Sequence, residues 1–500
     1  MSALRRAGAR TTAAVRAVNW AGVARVAVVA GAAAALVHVA TTQSFGLDLA
    51  AAVGEDEAPV TATALTTRVN QVCSGAELSG IDGVPDVAVP ATVTAASGPA
   101  DLLPATPPSQ GSLDVTADGG ELLSLDTRPA TATKPLPAKG PARVTGSAAL
   151  APAVAATQEW TLDTKDLRGL VSVPCGTGAT DQWLLAGGAG PGRQERLVLT
   201  NPGANPVTAE VEVHGARGLL GDPVNQTVAP GGRATVLLDA RYGSEETPAV
   251  HVSTDGAGLH ATLTDTWITG STALGADTTT AAAAPSTTQV LPGTIVDTGP
   301  ATLRVAAPGE QGAVVRVDVI GRSGFVELPG ESVVSVDAGA VAELPLAGLP
   351  EGTYTVVLRS DVPVVGSVLT RVGDGKAPGE LAWTTSAPAL PATGGAALPP
   401  TAGVGRSLQL VSTDGSSTAE VTTVVDGTAA TRVVSLLSER MTAVDLAGAS
   451  SVWVRKTSGS GELRGAVVSS SGTGATRLLS SMPLEDSAVS SPVSRAFPLP

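Results

Sequence analysis

Aromatic residues are scarce in this chain: three Phe, two Tyr and six Trp among 500 residues, 2% of the total. Cysteine occurs twice, histidine four times and methionine three times. No Cys-x-x-Cys pair, His-Glu-x-x-His helix or Gly-x-Ser-x-Gly elbow is spelled anywhere, so no hydrolase or zinc motif is indicated. Basic residues are also short: 31 Lys and Arg against 45 Asp and Glu leave a net charge of −14. Nucleic acid is therefore an unsuitable partner, because phosphate binding needs clustered Lys and Arg. The acidity reads as a solubility device. Long apolar runs are missing too, except for one near the N-terminus.

What remains is Ala, Val and Leu punctuated by 58 Gly and 36 Pro, with 43% of residues apolar. A fully buried Val or Leu contributes about 1.5–3 kcal/mol, so small β cores are feasible without aromatic anchors. Three segments repeat. Leu197-Val-Leu-Thr-Asn-Pro202 with Ala209-Glu-Val-Glu-Val-His-Gly215 matches Leu303-Arg-Val-Ala-Ala-Pro308 with Val314-Val-Arg-Val-Asp-Val-Ile-Gly321. The third copy is Leu408-Gln-Leu-Val-Ser-Thr413 with Ala419-Glu-Val-Thr-Thr-Val-Val-Asp-Gly427, and Gly215, Gly321 and Gly427 are 106 residues apart each time. That period is too long for a solenoid and fits one whole β-sandwich domain. Within a copy, alternation places Val211 and Val213 inward and Glu210, Glu212 and His214 outward. Gly231-Gly232 and Asp255-Gly256 supply hairpin turns, and Ser360-Asp-Val-Pro-Val364 takes the place of the latter in the next copy. The fold class expected is all-β: tandem immunoglobulin-like β-sandwich modules after one N-terminal transmembrane or signal helix.

The N-terminus carries an address. Arg5, Arg6, Arg10 and Arg16 precede an apolar stretch at 18–40, and Glu55, Asp56 and Glu57 follow it. Basic residues before and acidic residues after place the start inside and the bulk outside. Arg25 interrupts the stretch and leaves 26–37 as a signal-like core. A cut after Ala40 would put His38 at the minus-three position, a poor small-residue site, which favours a retained anchor over a cleaved signal. The organisation expected is a basic cytoplasmic tail at 1–17, anchor or signal at 18–40 and linker at 41–57. Modules follow at 58–181, 182–290 and 291–390, then a linker at 391–405, a fourth module at 406–483 and a disordered tail at 484–500. In an exported chain Cys73 and Cys175, 102 positions apart, are expected to form a disulfide.

The remaining motifs are weak. Leu390-Pro-Ala-Thr-Gly394 spells a sortase pentapeptide, but no membrane span or basic tail follows it, so it reads as a linker. The glycines between Gly176 and Gly192 lack the Lys-Ser/Thr ending of a phosphate loop, and Gly459-Ser-Gly461 lies between strands. His251 and His260 flank one expected hairpin, yet two imidazoles without a third ligand make a poor metal site. Trp183, Trp267, Trp383 and Trp453 lie in the repeats, as core plugs or as stacking platforms for sugars. No catalytic, cofactor or metal residue is assigned.

Several blocks together resemble a known family. Cys175 with Asp181-Gln-Trp183-Leu-Leu-Ala-Gly187-Gly188, Leu197 to Pro202 and Ala209 to Val213, then Gly352-Thr-Tyr354-Thr-Val, Ser360-Asp361-Val-Pro363 and Leu381-Ala-Trp383-Thr, occur in the family's order. The chain is similar over about residues 60–480 to an actinobacterial exported family catalogued as domain of unknown function 5719. The resemblance implies a membrane-anchored or secreted envelope protein with no catalytic residues to carry over. The expected function is a non-catalytic scaffold or interaction protein, held to the membrane by the N-terminal helix and partnered by envelope proteins or glycans. The alternative is a glycan-binding accessory in surface polysaccharide assembly.

Overall fold

The computed structural model describes residues 63–78, 86–137 and 140–492. The expected cytoplasmic tail, membrane segment and first linker lie outside these residues, as do 493–500 of the expected tail. Among the described residues no helix is long and apolar enough to cross a membrane. The one α-helix among them is the single turn Asp239–Tyr242, and nearly everything else is antiparallel β-sheet. The alternation seen in sequence explains why. In Val207–Gly215, Ala209, Val211 and Val213 are buried while Glu210 is exposed, which suits a strand with one covered face.

Strands gather into four two-sheet modules, each with a shared apolar core. In the first, Arg68–Cys73, Ala142–Ser147, Leu113–Ala117 and Gly120–Leu125 face Ala130–Pro135, Thr92–Ser97, Val154–Asp163 and Arg168–Pro174, in those orders. In the second, the sheet of Asp181–Leu184, Ala249–Thr254 and Val207–Gly215 faces Arg233–Leu237, Arg193–Thr200, His260–Thr269 and Thr272–Thr280. The third and fourth repeat the plan, with cores centred on Leu303, Val317 and Val356 and on Leu408, Val421 and Val454.

Several connections differ from the expectation. Asp255-Gly256 does not close a hairpin: Ala249–Thr254 pairs within one sheet and His260–Thr269 within the other, so the turn passes between layers. Gly231-Gly232 does the same between Val224–Val228 and Arg233–Leu237. In the third module the chain does not turn at Ser360-Asp361-Val-Pro363. One strand, Gly352–Val372, runs from the first sheet into the second, where Val365 pairs with Ala306. A partner is supplied on both sides of Pro363 by different sheets, so local turn chemistry is overridden.

The expected linker 391–405 contains the strand Thr393–Ala397, paired with Ser451–Gly459. Its Gly-Gly pair disguised it, and packing explains the glycines: a Cβ on Gly395 would lie 2.5 Å from the Trp453 ring. The expected tail likewise begins with structure. Glu485–Asp486 adds to Thr393–Ala397, and Ser490–Pro492 pairs with Thr63–Leu65 at the other end of the described chain.

The modules are not strung out. Arg168–Pro174, Thr272–Thr280, Glu380–Thr385 and Leu478–Pro483, one from each module, pack each against the next and the last against the first. Each has a hydrogen-bonded strand on one side only. Four sheet edges that would invite pairing with foreign chains are thus turned onto one another. Apolar clusters cross every junction: Trp160 with Ala276, Trp183 with Val341, Val357 with Met441, and Trp453 with Ala96.

Candidate functional site

The two cysteines form a disulfide, with Cα atoms 4.4 Å apart, both buried in the first module. The histidines separate. His251 and His260 lie on strands of opposite sheets, so the pair considered from sequence does not assemble. His260 is buried against Gly176, and burial pushes its imidazole down to about 4. His251 stays near the surface. Its Nδ1 lies 3.0 Å from Glu212 Oε2 and its Nε2 3.3 Å from Asp181 Oδ2, and its ring stacks on Trp183 at 4.6 Å. The other neighbour of Trp183 is His214, at 5.0 Å, whose Nδ1 meets the Gly339 carbonyl of the third module at 2.7 Å. His214 was expected to face water; the next module covers it. A cleft of about 520 Å³ opens beside Asp181, Glu212 and His251. It holds an imidazole between two carboxylates, but Trp183 is 5% exposed and offers no face to a sugar ring.

The other tryptophans behave similarly. Trp160, Trp383 and Trp453 are buried and Trp267 is partly so. Trp383 belongs by chain position to the third module yet fills the core of the second. Its ring N–H donates to Asp265 at 3.0 Å, and its backbone N–H donates to Asp277 at 2.6 Å. The Arg304 guanidinium lies over the ring at 4.9 Å and donates to the carbonyls of Pro248 and Gly187, at 2.9 and 3.0 Å, besides pairing with Glu343. Arg193 grips Asp265 with two hydrogen bonds of 2.9 and 2.6 Å.

This buried ionic seam escaped the sequence reading. Burial opposes ionisation of Asp265, but Arg193 overcomes it and holds that carboxyl below the usual range. Asp277 has no such partner. Burial pushes it well above the carboxylate range, against the Trp383 and Thr278 amides, with the Asp265 charge adding to the rise. Burial does the same to Glu380, with Asp277 beside it and only Arg168 and the Leu170 amide in opposition; neither of its oxygens completes a well-formed hydrogen bond. Glu195 rises to about 7 through burial, although it accepts the Gly188 amide. The one signal in sequence was Asp265, a charge at an inward-alternating position of Leu263-Thr-Asp-Thr-Trp267. None of these carboxyls lines a described cleft. A buried polar network of this kind orients and locks its members.

The model for the family of unknown function DUF5719 matches residues 125–447. The chain belongs to this family. The DUF5719 match takes in the whole of the second and third modules, hence Trp183, Trp383, Arg304 and the seam between them. No curated protein matches the chain.

Proposed function

We propose that this DUF5719 protein is a non-catalytic scaffold or interaction protein of the cell envelope, built of immunoglobulin-like sandwich modules and either anchored by its N-terminal segment or secreted. The observation that carries the reading is the placement of four tryptophans. In a glycan-binding array, Trp rings stand open on a sheet face; here Trp160, Trp183, Trp383 and Trp453 are spent on cores and junctions. Interlocked modules suit a body that presents its surface rather than one that opens around a substrate. The Cys73–Cys175 bridge supports an oxidising compartment outside the cytosol.

The test is capture from solubilised envelope, with the immobilised full chain run beside an array of wall polysaccharides. The expected outcome is saturable capture of envelope protein and a blank array. Retention of polysaccharide that is lost on removing a tryptophan would favour the glycan-binding alternative instead.

A further inference from the structure

The repeat supplies its own control for the junctions. In the second module the turn after Val207–Gly215 reaches the third, where a Cβ on Gly218 would lie 3.9 Å from the Gly339 carbonyl. The third module touches the fourth in the same way: Gly324 stands at the same 3.9 Å from the Glu439 carbonyl. The equivalent turn of the fourth module, Asp426-Gly427, faces residues 129–133 of the first across open space, and no atom lies within 4 Å of a Cβ built on Gly427. A cleft of about 870 Å³ opens there instead.

One wall of this cleft is the strand Ala130–Pro135, through residues 130–133. It ends its sheet, hydrogen-bonded to Thr92–Ser97 on one side and to no described strand on the other. An unpaired edge offers main-chain donors and acceptors at about 3.3 Å per residue, the pattern by which an extended segment adds to a sheet. Pro399 and Pro400 make an apolar flank, and Asp426 and Asp445, both exposed, supply charge. The cationic lining residue, Arg406, is already held by Glu159 at 2.6 Å. The uncompensated charge is therefore negative, and no aromatic ring lines the space for a sugar to stack on.

From this we infer that the groove between the fourth and first modules receives an extended, lysine-bearing polypeptide segment of a partner protein, which adds as a strand to Ala130–Pro135. The inference rests on the interaction-protein reading and names the chemistry of one partner. Main-chain pairing supplies the binding, and the carboxylates select the charge of side chains pointing to the far wall.

The probe is a labelled, end-capped peptide of alternating valine and lysine, seven residues long, titrated into the purified full chain by fluorescence anisotropy. Saturable binding is expected. Methylating alternate backbone nitrogens of the peptide abolishes it, and replacing lysine with glutamate does too. The double variant Asp426→Asn, Asp445→Asn weakens binding roughly three- to tenfold, as loss of two exposed charge pairs implies. Asn tolerates the positive φ of Asp426 and keeps the Asp445 side-chain bond to the Ala447 amide, so an unchanged melting curve verifies the fold. Absence of saturable binding, equal binding of the glutamate peptide, or indifference to N-methylation overturns the inference. So does a wall polysaccharide that binds the chain and is lost in the double variant. Envelope capture that persists undiminished in that variant sinks the groove alone; peptide binding without envelope capture sinks the broader reading alone.

Discussion

At the residue scale, Gly275 shows how closely the modules approach. Its φ is +131°, and a Cβ there would lie 2.2 Å from the Leu381 amide nitrogen of the third module. Backbone strain for a non-glycine residue costs about 1–3 kcal/mol, and overlap with main chain cannot be relieved by a rotamer change. Gly373, at φ +85° with open space around it, isolates the first contribution. Gly275→Ala is expected to lower unfolding free energy by at least about 2 kcal/mol more than Gly373→Ala does, measured by urea titration. Equal losses would mean that the contact at Leu381 yields freely. Residues of this kind are where sequence reasoning ran out. Cys73 and Cys175 were legible because two cysteines in a chain read as exported pair by chemical default. Gly275 was not, since its neighbour lies 106 positions away and nothing local announces a close approach.

At the element scale, the inner strands carry carboxyls that a half-buried sheet has no means to solvate, and their pH response follows. Glu195 titrates near 7 in the folded chain against an ordinary value of 4.5. A raised folded value means that the native state binds more protons between those limits. The stability it permits is complete below about pH 4.5 and is lost as pH rises through 7. Asp277 and Glu380, pushed well above the carboxylate range by burial, act in the same direction. His260, pushed down to about 4, acts oppositely, its contribution present above 6.5 and lost as pH falls. Between pH 6 and 8.5 the carboxyls therefore dominate, and the wild-type urea midpoint is expected to fall. Glu195→Gln keeps an acceptor for the Gly188 amide and should remove about 1–2 kcal/mol of that fall. An identical pH dependence in the variant would exclude Glu195 as a contributor. Alternation in Val207–Gly215 and Ala313–Gly321 made strands legible, but period-2 patterning cannot say which outer face another module will cover. His214 was misread for that reason, and Thr393–Ala397 was missed because its Gly-Gly pair carries no β signal.

At the scale of the described chain, closure of the four modules makes each junction a concern of all. The return contact from the fourth module to the first is buried: Arg406 holds Glu159 by bonds of 2.6 and 2.7 Å, and the Thr157 hydroxyl donates to Ala397 at 2.7 Å. Equal spacing of the repeats predicted similar units but carries no information on whether the last meets the first, because contacts at such separation leave no local trace. Arg406→Ala leaves the buried Glu159 without its counter-ion, held only by the Ser172 and Thr401 hydroxyls, which costs about 3–5 kcal/mol. If the modules folded independently, that loss would appear as faster hydrogen exchange in the first and fourth alone. With Arg168–Pro174, Thr272–Thr280, Glu380–Thr385 and Leu478–Pro483 packed in a closed circuit, the loosening must pass on. Amides of Thr272–Thr280 and Glu380–Thr385, which make no contact with Arg406 among its hydrogen bonds and ion pairs, are expected to lose protection by a similar free energy. Protection unchanged in those two strands, with loss confined to the neighbours of Glu159, would show that the circuit is a set of separable parts.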